Sequence, residues 1–203
     1  MTRIDWEPPA PRAGMAGAWD RFMGPGATGA EEGVQAGFGL AIAAGCLALF
    51  WLGGGFGLGW PAIALAVVLA ADLGGGLITN ATAAAKRWYH RPGHGRGAHL
   101  RFVAVHGIYI AAVAWLMAGQ GWLYFGLAYG FLLAAAVVIT AVPLYLQRPV
   151  ALGLAGLGIL MAQLPLLAIP GLGWFLPLLW LKLLVAHLVK EAPFAPDQTG
   201  GRA

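Results

Sequence analysis

The chain has 203 residues, of which 60% are hydrophobic and 10% charged, with a formal net charge of +4. Soluble domains carry about 25% charged residues, so this composition excludes an ordinary soluble domain and leaves room for one membrane domain. The positive balance is no signature of nucleic-acid binding, because most Lys and Arg residues flank apolar runs, where membrane orientation explains them.

Residues 1–33 form an N-terminal tail expected to lie in the cytoplasm or at the interface. They contain no apolar stretch typical of a cleaved signal peptide. Pro8, Pro9, Pro11 and Pro25 argue against a long helix. A short helix at 15–23 would carry Trp19, Phe22 and Met23 into the interface.

Six segments then read as spans, at 34–53, 60–85, 100–118, 122–146, 150–168 and 172–190. Each is near the ~20 apolar residues that a crossing needs. Residues 34–190 are thus read as an all-α, six-span bundle, and 191–203 as a C-terminal cytoplasmic tail. Arg3, Arg12 and Arg21 precede the first span. Lys86, Arg87, Arg91, Arg96 and Arg101 follow the second, Arg148 the fourth, and Lys190 and Arg202 the sixth. The other three connections have no Lys or Arg. The positive-inside rule then puts both termini in the cytoplasm of a multi-pass inner-membrane protein. Pro143, Pro165 and Pro177 are expected to kink their spans. The one cysteine, Cys46, lies in an apolar run and excludes an intrachain disulfide.

The second span carries most of the polar chemistry: Asp72, Gly74, Gly75, Gly76, Thr79 and Asn80, followed by the loop RWYHRPGHGRGAHLR. An ionisable group at mid-membrane costs at least ~2.5–3.5 kcal/mol and normally has a partner or a function. Asp72 lies twelve residues after Trp60, near the midplane at roughly 1.5 Å per residue. Lys182 lies eight residues before Lys190, and a salt bridge with Asp72 would neutralise both. Three consecutive glycines either unwind the helix, as transporter sites do, or give a flat packing surface. If the helix continues, Asp72, Gly76, Thr79, Ala83, Lys86 and His90 form one polar stripe.

His106 and His187 lie just inside the cytoplasmic ends of their spans, with His99 and Gln120 on the same face as His106. Neutral imidazoles from two helices are candidate metal or haem ligands, His106 and His187 foremost, with His90, His94 and His99 nearby. Arg87 and Arg91, beside Trp88 and Tyr89, read either as an interfacial anchor attracting anionic lipid headgroups or as bidentate donors to a ligand's negative charge.

The leading expectation is a cytoplasm-facing polar cavity that binds or translocates a small polar or anionic ligand or an ion. Its ligand-binding residues would be Asp72, Gly75, Thr79, Asn80, Arg87, Arg91, His106 and Lys182. No cofactor is required by this reading. One alternative is a metal- or haem-dependent membrane enzyme acting on a lipid or quinone. Another is a non-catalytic subunit or assembly factor of a larger complex. The partners are the bilayer, an anionic headgroup, and a homo-oligomer or membrane complex. No nucleic acid is among them, and no enzyme signature such as H-E-x-x-H or G-x-S-x-G occurs.

Overall fold

Thr28 starts the first long helix. Its hydroxyl accepts from Glu31 N at 3.1 Å and Glu31 Oε2 accepts from Thr28 N at 2.8 Å, a reciprocal capping box. The helix therefore begins at residue 29, five residues before the boundary expected from apolarity alone. The computed structural model describes residues 2–119 and 121–196; Gln120 and Arg202 lie outside them. A strand β1 (Thr2–Ile4) and a helix α1 (Gly14–Met23) precede α2 (Gly29–Leu52). There follow α3 (Trp60–Ala81), α4 (Ala83–Tyr89), α5 (Arg96–Val105), α6 (Gly107–Leu116), α7 (Gly121–Ala141) and α8 (Leu144–Met161). Helix α9 (Phe175–Trp180) runs into a π-helical segment, Leu181–His187, and a strand β2 (Phe194–Pro196) ends the described chain.

Among the described residues, five helical stretches are long and apolar enough to cross a membrane: α2, α3, α5 with α6, α7, and α8. The sixth segment, Phe175–His187, is apolar but shorter. Strands β1 and β2 pair antiparallel, Thr2 opposite Pro196 and Ile4 opposite Phe194, so the two ends of the described chain meet.

Two boundaries differ from expectation for local reasons. Pro143 does not kink a span but ends one: α7 stops at Ala141 and Pro143 is the N-cap of α8. Arg148 consequently lies within α8, not in a connection. Pro165 opens a short 3-10 turn, and only Pro177 lies inside its helix, two residues after the start of α9.

The triple glycine does not break α3, which is continuous from Trp60 to Ala81. Its three members do different things. A Cβ on Gly74 would sit 2.7 Å from the Gly39 carbonyl oxygen of α2, so this pair of helices touches backbone to backbone. A Cβ on Gly76 would sit 2.5 Å from Lys182 Cε, so this position makes room for the lysine stem. A Cβ on Gly75 would meet nothing within 4 Å. Gly74→Ala should therefore destabilise the bundle by about 1–3 kcal/mol through overpacking. Gly75→Ala should be neutral or stabilising by up to about 1 kcal/mol through helix propensity. Thermal unfolding of the two variants in mild detergent checks the contrast.

Candidate functional site

Asp72 and Lys182 form an ion pair inside the bundle, with Lys182 Nζ 2.5 Å from Asp72 Oδ2 and 3.4 Å from the Asp72 carbonyl oxygen. The pairing expected from their depths is present. The two partners differ in access: the lysine side chain is 4% exposed and the carboxylate 29%. Gly76 lets the ammonium lie against the α3 backbone.

Around this pair is a cavity of about 130 Å³ lined by Asp72, Gly76, Thr79 and Asn80 of α3, His106, Lys182, and the rings of Phe22, Tyr89 and Phe102. Thr79 donates to the Gly75 carbonyl at 2.9 Å, which leaves its oxygen lone pairs toward the cavity lining. His106 Nδ1–H donates to the Phe102 carbonyl at 2.7 Å, so in the neutral ring Nε2 is an acceptor. Asn80 is 5% exposed and its amide has no hydrogen-bond partner among the described residues. A buried amide without a partner costs about 1–3 kcal/mol unless solvent or a ligand supplies one.

The π-helical segment explains how Lys182 comes to this place while His187 faces the neighbouring cluster. Five residues apart on an α-helix would be about 140° apart. The i→i+5 bonding of a π-helix, such as Leu188 N to Leu183 O at 3.1 Å, widens the turn and brings such residues closer to one side. Both side chains are buried.

The histidines form a separate cluster next to the cavity. His99 Nδ1 and His187 Nε2 are 3.2 Å apart, His90 Nε2–H donates to the His187 carbonyl at 3.1 Å, and the His90 and His99 rings lie 4.5 Å apart. Phe102 stacks on His187 at 4.0 Å and packs on His106 at 4.8 Å, so it contacts both imidazoles proposed as ligands. His187 Nδ1 is buried without a partner. Among the described residues, no group of three or more His, Cys, Asp or Glu side chains is arranged to hold a metal ion. Burial, then the charges of His99 and Lys86, push His90 down to about 3.

Arg87, Arg91 and Gly75 do not line the cavity. Arg87 reaches Asp5 at 3.4 Å and the Gly26 carbonyl at 3.2 Å, tying the N-terminal segment to α4. Arg91 lies over the Trp88 ring at 3.7 Å and donates to the Trp88 carbonyl. The polar stripe expected beyond Asn80 is also interrupted. Thr82 is extended (φ −68°, ψ 152°) and its hydroxyl accepts from Ala85 N at 3.2 Å, so α4 starts afresh in a new direction. Lys86 is thereby sent to the end of the π segment, where Nζ donates to Ala186 O at 2.5 Å and Val189 O at 2.6 Å. Burial pushes its ammonium down to about 8.

The aromatic members of the lining are absent from the sequence reading. Phe22 was placed only at the interface, and Tyr89 and Phe102 carry no signal that separates a cavity wall from ordinary packing.

Lys182→Met should cost about 3–5 kcal/mol, because it leaves a carboxylate unpaired in the bundle, whereas Asp72→Asn with Lys182→Met together should cost much less than the sum. Unfolding of the four members of this cycle measures the coupling. Separately, His90 binds protons more readily unfolded than folded between about pH 6.5 and 3. Its contribution is complete above pH 6.5 and should fall away with acid, by at most about 1.4 kcal/mol per pH unit. His90→Gln should flatten that part of the stability–pH curve.

Compared with family models, with curated proteins and with solved structures, the chain has no match in any of the three.

Proposed function

We propose that this chain is a six-span inner-membrane protein with both termini in the cytoplasm, and that the cavity beside Asp72 and Lys182 binds or translocates a small polar or anionic ligand entering from that side. The observation that carries the reading is the cavity itself, with the Asn80 side chain on its wall making no hydrogen bond to another described residue. An ion pair that served only to lock two helices would not call for a further polar group left without a partner beside it. Its volume, about 130 Å³, is about four times the share of one water in the liquid. That limits the ligand to a few heavy atoms.

Three features support the topology. Strand β1 pairs with β2, which supports two ends on one side and an even number of crossings. The short Phe175–His187 segment then counts as the sixth crossing. Lys and Arg are missing from the connections 53–59 and 162–174 and abundant at the opposite end. Arg87 and Arg91 belong in this reading to the cytoplasmic anchoring layer, with Trp88 and Tyr89 at headgroup level.

Substituted-cysteine labelling tests the access route. In a Cys46→Ala background, Asn80→Cys should react with a small membrane-impermeant thiol reagent in inside-out vesicles and not in right-side-out ones. Equal protection from both sides would remove the cytoplasm-facing cavity. Tyr145→Cys should share the sidedness of Asn80→Cys, and Phe56→Cys should have the opposite one.

A further inference from the structure

Resting on that reading, the charges in the cavity also define what class of ligand it takes. The cavity contains one carboxylate, one ammonium and a neutral imidazole, and it is built from helices with apolar flanks. A second net charge in such a place costs several kcal/mol even after relaxation. A ligand that enters must therefore leave the cavity neutral. A neutral solute meets this condition, and so does an ion that enters with, or in exchange for, a proton.

The donors favour an anion. Lys182 has three N–H bonds; one goes to Asp72 Oδ2 and a second, long one to the Asp72 carbonyl. The third has no acceptor among the described residues. The Asn80 amide adds two more unspent N–H donors. An added cation would instead meet the Lys182 ammonium, which would have to lose its own proton. Asp72 is the more accessible member of the pair, so it is the one placed to exchange a proton with the cavity. The groups facing it are Lys182 from the π segment, His106 at the junction of α5 and α6, and Tyr109 from α6.

We infer that the cavity takes up one small monovalent anion together with one proton, the proton going to the Asp72 carboxylate as the Lys182 ammonium transfers its ion pair from Asp72 to the anion. The charges balance at every stage. Before binding the pair is Asp72⁻ with Lys182⁺; afterwards Asp72 is neutral and Lys182⁺ faces the anion. No bond other than the proton's changes hands. His106 Nε2 and the Thr79 oxygen are the acceptors available to the new Asp72 O–H or to a bound water.

Three isosteres of four heavy atoms isolate charge from shape: acetate, acetamide and acetamidinium. The purified full chain in mild detergent is titrated with each, and acetate is repeated in two buffers of different protonation heat to count protons. Acetate should bind in preference to both isosteres, with about one proton taken up per anion and a Kd that rises about tenfold per pH unit wherever that uptake is seen. Asp72→Asn, a stand-in for the protonated acid, should bind acetate without proton uptake and without that pH dependence. Lys182→Met should lose acetate binding. Acetate binding to the unaltered chain without proton uptake, or a preference for acetamide or acetamidinium, would overturn the coupling and leave the ligand site standing. Failure of all three to bind would remove both the coupling and the site.

Discussion

A carboxylate and an ammonium cannot stand alone among apolar helices, and much of this bundle follows from bringing them together. Asp72 sits on α3 and Lys182 on the last helical segment, 110 residues apart in sequence. Their contact fixes those two elements against each other. A glycine at position 76 makes room for it, because a Cβ there would meet Lys182 Cε at 2.5 Å and the lysine stem would have to shift. On the other side of α3 a glycine at position 74 admits the backbone of α2. Two residues of one helix, Gly74 and Gly76, thus answer two neighbours on opposite sides of α3. Dispersion between close backbones replaces the hydrophobic drive that lipid does not provide.

A second set of contacts closes the end of the bundle where the two described chain ends meet. The π-helical segment leaves carbonyls near residues 186–189 that need donors. Lys86 and His90, both delivered by α4, supply them. Glu31 does the corresponding work at the start of α4, where its Oε1 accepts from Ala84 N at 3.0 Å while its other oxygen caps α2. Gly24, with φ +93°, presses so close to the Ala84 backbone that a Cβ would lie 2.3 Å from it. Helix α1 is held over the cavity by this contact, and that is how Phe22 becomes part of the wall. The polar side chains of Lys86, His90 and Glu31 are here spent on finishing helix ends.

The difference between such helix-end groups and the cavity lining marks what was legible in the sequence. Asp72, Lys182, Thr79, Asn80 and His106 stood out because polar side chains in apolar runs need a reason, and all five line one cavity. Five apolar stretches of spanning length were equally plain, since length and hydropathy are local properties. Three things were not local. The turn at Thr82 redirects Lys86 and His90 although the residue pattern continues smoothly through it. The widened register of 181–187 aligns residues that an α-helical wheel separates. Arg87 and Arg91 find partners in Asp5, Gly26 and Trp88, contacts that only the folded N-terminal segment and a local ring create. Pro143 was visible, but whether a proline bends a helix or ends it depends on what the next residues pack against.

The 110-residue gap between the ion-pair partners has a consequence for biogenesis. At the usual 5–20 residues per second of synthesis, roughly 5–20 s pass between translation of Asp72 and that of Lys182. Throughout that interval α3 carries its carboxylate with no lysine to meet it, so the helix enters the bilayer either with the acid protonated or with the aspartate held back near a polar neighbour. The β1–β2 ribbon and the Lys86 contacts are delayed for the same reason, because each needs residues beyond 185. The bundle is therefore closed only once the segment carrying Lys182 has emerged, and until then the α3 carboxylate lacks its partner.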